Sequence, residues 1–460
     1  ISVITIATLI MLVPRRSQNC QVSLRLWPMN NDRCDRRPAG RSMIHDCGAS
    51  SPGNGTVEGL WNSFDEPNEF VFAPGDTLAL KSNVTCKGNL SPKGSGTSSQ
   101  PIRLTSYPID SILGPPVIHA DGANSSLLLT NQDHWRITKI AFTNPASNVA
   151  RRQGITILAN DGGVHYGITI EDNTIYDVAG QTNKTPLESR LKRLSRPMLF
   201  MDACGGDGIV VQYSDAPSLD HNVASNLGKG KYPWKGGNFA GIWVMASHNP
   251  VMRHNVVYGS IMSLHDSTAF DCDWGVTGTC IVEYLMSVLL RPPRKELTLP
   301  CGVSGGARQI VRYNIFENDC RMISVSENST LEFYNNAMYC ADRDFELQLP
   351  QNATKMTNNI FVGRENATLP VASNIVWENN LFHGLMPPTE DGHLGDPLFA
   401  SPRTRGSTLG AVFGYKLRAG SPAIGSGIAI KDNGGKDYFG GRLGGATKPN
   451  IGPYSGKGIN

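Results

Sequence analysis

Charge is scarce in this 460-residue chain: Asp, Glu, Lys and Arg make up 18% of it, and 42 basic against 39 acidic side chains leave a formal charge of +3. So small an excess excludes a dedicated nucleic-acid binder, which needs a dense basic footprint. The basic stretches from Arg33 to Arg41 and from Arg291 to Lys295 are short. No Cys-x-x-Cys pair occurs among the 10 cysteines, which argues against zinc-ribbon and thioredoxin-like chemistry. The apolar opening, Ile1 to Val13, falls short of the ~20 residues that span a bilayer. It matches the apolar part of a signal peptide instead, so no stable membrane insertion is expected. Long helices are not expected either, because 49 glycines and 29 prolines describe a chain of short strands and turns.

Asparagine, by contrast, recurs in a pattern. It opens a short apolar phrase at Asn173, Asn222, Asn255, Asn314, Asn336, Asn359 and Asn380. The last four lie 22, 23 and 21 residues apart, the period of one solenoid turn and too short for a pair of helices. A corner in each coil needs a residue that tolerates the left-handed region, and Asn is the best choice after glycine. Superposed amides can then bond from coil to coil, while neighbouring coils supply the core. The pattern predicts an all-β chain wound as a parallel β-helix.

Three segments follow. Residues 1–46 read as targeting or undefined sequence and 47–385 as the solenoid. Residues 386–460, where Gly395-Asp-Pro-Leu-Phe399 and Asp437-Tyr-Phe-Gly440 break the period, read as a cap over its end. Sequons at Asn54, Asn83, Asn89, Asn124, Asn183, Asn328, Asn352 and Asn366, together with the cysteines, point to a secreted, disulfide-bonded glycoprotein. Cys47 with Cys86 and Cys320 with Cys340 are the expected pairs. One coil departs from the pattern: Tyr284-Leu-Met-Ser-Val-Leu-Leu-Arg-Pro-Pro-Arg-Lys295 loses its Asn and carries two prolines.

A set of phrases carries a resemblance: Pro74-Gly-Asp-Thr, Gly94-Ser-Gly-Thr, Gly206-Asp-Gly-Ile209, Ala240-Gly-Ile-Trp243, Ala269-Phe-Asp-Cys-Asp-Trp-Gly275, Arg312-Tyr-Asn-Ile-Phe-Glu-Asn-Asp319 and Ala419-Gly-Ser-Pro-Ala-Ile424. Together they resemble the secreted right-handed parallel β-helix repeat proteins of fungi and actinobacteria, within the pectin-lyase-like superfamily, which implies a single right-handed solenoid. The resemblance covers about Cys47 to Tyr454. It implies an extracellular protein, expected to be a monomer, acting on a polysaccharide such as a uronate-containing one. Lyase against hydrolase stays open.

Counting back fifteen residues from Asn222, Asn255 and Asn336 places Asp207, Ala240 and Arg321 at strand starts. Matching Ile281-Val-Glu-Tyr284 to Ile310-Val-Arg-Tyr313 puts Leu285 at the ladder position and makes Phe270-Asp-Cys-Asp273 a strand. Alternation then sends Ile209, Ile242, Cys272 and Ile323 inward, and Trp243, Asp271, Asp273 and Ser324 outward. Asp271 and Asp273, two residues apart and so ~6–7 Å at the backbone, can serve as acid and base of a hydrolase. They can equally hold Ca²⁺ for a lyase, with Arg321 or a lysine taking the proton. Or they are satisfied turn acids, and the protein is a non-catalytic carbohydrate-binding or structural β-helix. Asp207 is a further candidate for the cleft, Trp243 for stacking a sugar and His265 for substrate contact. His221 and His254 each precede a ladder Asn and read as structural.

Overall fold

The computed structural model describes residues 40–460 apart from 109–113, 149, 151, 181–189, 193–194, 198, 203–207, 228–239, 260–267, 289–298, 304–306, 325–328, 342–344, 349–352, 368, 370–372, 404–408 and 445–447. For the elements within 190–202, 299–303, 321–324, 346–348, 366–367 and 409–411 it describes the backbone.

These residues wind as a parallel β-helix. Among the described residues five sheets form, three of which hold most of the strands, and in each the strands stack in sequence order with parallel pairing. The first sheet runs from Ser42–His45 to Ile375–Glu378, and the second from Thr85–Lys87 to His393–Leu394. The third comprises Ile209–Gln212, Ala240–Met245, Thr268–Cys272, Leu299–Val303, Arg321–Ser324 and Glu346–Gln348. The coils begin before Cys47, since Ser42–His45 pairs with the strand at Thr77 to Leu80.

Period-two alternation in each strand places one apolar row inside. In the first sheet Leu219, Met252, Val282, Val311, Phe333, Met356 and Trp377 stack in register. All seven are buried in the main core. In the second sheet Phe316, Met338, Phe361 and Phe382 do the same. Each row repeats at the ~4.8 Å spacing of adjacent strands, so an apolar side chain always meets its counterpart one coil away.

The amide ladder is present and buried. Oδ1 of Asn255 accepts from both N and Nδ2 of Asn222. The same pair of bonds joins Asn314 to Asn336, Asn336 to Asn359 and Asn359 to Asn380. The physical reason for Asn differs from the expected one, however. The left-handed residue is the one before each ladder position: His221, His254, Tyr284, Tyr313, Asn335, Asn358 and Asn379 have φ between 51° and 57°. The ladder positions are therefore selected by the side-chain amide, which satisfies buried backbone groups at the corner.

The irregular coil fits the frame. Leu285 is buried at the ladder position, and its N–H donates to Asn314 Oδ1 at 2.8 Å. The strand Met286–Val288 pairs on both sides. Residues 289–298, with the two prolines, lie outside the described residues.

The C-terminal segment does more than close one end. The outward row of the second sheet, Val256, Met286, Ile315, Ala337, Ile360 and Leu381, is apolar and buried. Phe399, Val412, Tyr415, Leu417 and Ile451 pack over it as a second core. Returning along the side of the coils removes from water a face that would otherwise be an exposed apolar strip. Buried Arg312 holds Glu283 on the neighbouring coil at 2.7 Å and donates to Asp432 O at 2.7 Å, which ties this segment to the first sheet.

Candidate functional site

The third sheet gathers the candidate acids. Register pairs Trp243 with Asp271, and Asp271 with Gly302; Val244, Cys272 and Val303 form the next row. The expected alignment of Cys272 with Ile242 is therefore displaced by two residues, because Ile242 faces Phe270. Two residues preserve parity, so Cys272 still points into the core and Asp271 outward, where it is half-buried. Sequence counting also passed over a coil: Leu299–Val303 lies between the strand of Asp271 and that of Arg321. Its backbone register sets Ile323 beside Gly302 and Ser324 beside Val303, and their side chains lie outside the described residues.

Asp273 sits just beyond the strand, in a turn. Its N–H donates to Val244 O at 2.8 Å, and its Oδ1 accepts from the Trp274 N–H at 2.7 Å. The turn rests on the coil before it, with Ala246 N donating to Trp274 O at 2.9 Å and Thr277 N to Ser247 O at 2.9 Å. A disulfide between Cys272 and Cys280 closes its base. Both cysteines point inward, so the covalent link fixes where the intervening residues project. Sequence reading missed this bridge, while Cys47–Cys86 and Cys320–Cys340 form as expected.

The aromatic assignment is corrected. Trp243 lies in the outward row but is 1% exposed, so it cannot present a face to a sugar. Trp274 is 70% exposed and adjoins Asp273. The signal was in Asp271-Cys-Asp-Trp274, whose last residue falls outside the strand and escapes the alternation rule.

Asp207 and His265 lie outside the described residues, as does the side chain of Arg321. The backbone of Arg321 opens its strand opposite Glu346, two strands from the strand of Asp271. Structure thus brings together Asp271, Asp273 and Trp274. Groups of three or more metal-ligating side chains, among the described residues, are His45 with Cys47 and Cys86, and Asp220 with His221 and His254. The first is committed to a disulfide. No described helix is long and apolar enough to cross a membrane.

No family model matches the chain. A lacto-N-biosidase of Bifidobacterium longum subsp. longum is 25% identical over 322 residues, which is 61% of this chain and 19% of that protein. The chain therefore spans a small part of that relative's length. Among solved structures, the complex of XylC with xylose has a TM-score of 0.60 at 12% identity, covering 91% of this chain and 99% of that one. Pectate lyase Pel9A has a TM-score of 0.51 at 12% identity, covering 92% and 97%. At such identities the likeness establishes the fold alone, a parallel β-helix.

Proposed function

We propose that the chain is a carbohydrate-active enzyme that hydrolyses a glycosidic bond, with Asp271 and Asp273 as the acid and base and Trp274 as a sugar-stacking face. The observation that carries this reading is the placement of two half-buried carboxylates two residues apart, Asp271 near the end of its strand and Asp273 in the turn closed by the Cys272–Cys280 disulfide. Asp271 on the strand and Asp273 in the turn after it are two residues apart, and inverting hydrolysis needs such a pair with room for a water between the carboxyl groups. The acid must hold a proton while its neighbour stays ionised, a division of labour that like-charge proximity and partial burial favour. The lacto-N-biosidase similarity supports a glycosidase over a lyase.

Polysaccharide or oligosaccharide is the proposed partner, and a uronate-containing substrate stays within the proposal. A lyase would use the same acids to hold Ca²⁺, an ion that takes about 6–8 oxygen ligands. We place the protein outside the cell: the three disulfides among the described residues and exposed sequon asparagines at Asn54, Asn83 and Asn124 support a secreted glycoprotein.

The test is a screen of neutral and acidic glycans with wild type, Asp271→Asn and Asp273→Asn, with and without a calcium chelator. Hydrolysis gives new reducing ends without ultraviolet-absorbing unsaturated products, is insensitive to the chelator, and is lost in both variants at unchanged melting temperature. Unsaturated uronate ends that vanish with the chelator would establish the lyase instead. Glycan retention without cleavage would leave a binding protein.

A further inference from the structure

The row of left-handed corner residues holds a second arrangement, separate from Asp271 and Asp273. His221 and His254 occupy this corner on successive coils, at φ 54° and 51°. That backbone fixes both rings in the same attitude, and they stack with centroids 4.4 Å apart and planes at 22°. Asp220, the residue before His221, faces Arg253 in the strand register. Its Oδ1 lies 2.6 Å from His221 Nδ1 and 2.9 Å from His254 Nδ1. One carboxylate oxygen and two imidazole nitrogens thus converge, all within 4.8 Å of one another. Arg253 Nε stands 3.5 Å from the other oxygen, Oδ2, which orients the carboxylate and leaves Oδ1 to face the rings.

The row continues as Tyr284 and Tyr313, and His254 also stacks on Tyr284 with centroids 5.0 Å apart, so the corner accepts any flat ring, and stacking by itself does not call for two imidazoles beside a carboxylate. Farther along the same row the corner is Asn335, Asn358 and Asn379, with the same positive φ. There the amides bond the C-terminal segment, at Asn450 O, Ile428 O and Ser426 O. At His221 and His254 the side chains are 46% and 31% exposed, open to ions from solvent.

We propose that Asp220, His221 and His254 bind a divalent transition-metal ion, with zinc the best fit, which joins two adjacent coils. Two imidazoles and a carboxylate are a preferred donor set for Zn²⁺, and a fourth position stays open to water. Typical Zn–N and Zn–O lengths of about 2.0–2.2 Å set tetrahedral donors about 3.4 Å apart, so the Asp220 carboxylate must ease away from the two ring nitrogens, now at 2.6 and 2.9 Å, to admit the ion, which exposed side chains allow. Arg253, on the far oxygen, is the group that holds the carboxylate ligand in place. The joined coils carry Val210 and Trp243, and the next coil carries Asp271. The site would therefore brace the stack beneath the proposed catalytic turn without touching it.

The experiment uses the full chain, stripped with a chelator and dialysed, titrated with Zn²⁺ by calorimetry and followed by thermal melting. His221→Asn and His254→Asn are the variants, because Asn holds the same left-handed corner at 335, 358 and 379. His248→Ala, a histidine elsewhere on the surface, is the control. One equivalent of Zn²⁺ should bind wild type and the control and raise their melting temperature. Either Asn variant should lose at least about 30-fold in affinity, and the metal-dependent rise with it, while its metal-free melting temperature stays near wild type. Absence of stoichiometric binding by wild type, or equal affinity in the variants, would overturn the site.

Discussion

Asn336 donates both its backbone N–H and its side-chain Nδ2 to Asn359 Oδ1, at 2.9 and 3.0 Å, and the same Nδ2 reaches Val311 O at 2.9 Å. Its own Oδ1 accepts from Asn314 in the same way. One buried amide therefore serves three successive coils. Asn336→Ala removes these partners while their donors and acceptors stay buried, which should cost about 2–4 kcal/mol. Urea unfolding checks this: the midpoint should fall with little change in slope.

Glu283 and Arg312 are each 8% exposed, and their pairing sits beneath the returning C-terminal segment. Arg312→Met leaves a buried carboxylate without its cation and frees Asp432 O, so stability should drop by about 3–5 kcal/mol. Trypsin should also cut faster at Lys431 and Lys436, which are exposed on that segment. Unchanged proteolysis would mean that the segment is held by its apolar contacts alone.

Replacing Cys272 and Cys280 with Ser opens a loop of sequence separation 8, which should lower stability by about 2–3 kcal/mol. If the turn positions Asp273 and Trp274, turnover should decline more than the stability loss explains when measured well below the melting temperature.

Trp274→Ala should leave folding unchanged, because the side chain is largely exposed. With a substrate from the glycan screen, kcat/KM should fall about tenfold, chiefly through KM, as expected for lost ring stacking. An equal loss in kcat alone would assign Trp274 a part in the chemistry instead.

High pH should loosen the stack. Burial, reinforced by Asp46, pushes Tyr107 up to about 12. Burial, reinforced by Glu283, pushes Tyr284 up to about 12 against the opposing pull of Arg312. Unfolded tyrosine ionises near ~10. Between about pH 10 and 12 the unfolded chain therefore binds fewer protons than the folded one, and stability falls as pH rises through that window. Urea midpoints from about pH 8 to 11 should decline at the alkaline end, and Tyr284→Phe should decline less steeply. Identical curves would remove Tyr284 from this account.

Much of the fold was legible because a solenoid writes its period into the chain. Asn314, Asn336, Asn359 and Asn380 set the coil length, and matching Ile281 to Ile310 located Leu285 at its ladder position, in agreement with the pairing. Spacing could not say which corner residue bears the left-handed backbone, since His221 and Asn222 are neighbours and both belong to the repeat. Site residues were less legible. Counting back from Asn222, Asn255 and Asn336 left out Asn314, whose own count of fifteen reaches Leu299, so the strand Leu299–Val303 was passed over. Alternation put Trp243 outward correctly but is silent on what covers it.

The sequence by itself determined the all-β solenoid, its amide ladder and the outward side of Asp271, because those follow from periodicity along a single chain. Only the tertiary structure decided that Trp274 and not Trp243 meets solvent, that Cys272 closes on Cys280, and that Asp220, His221 and His254 converge. Each of these depends on how neighbouring coils register and on what lies over them, and contacts between coils have no counterpart in local sequence spacing.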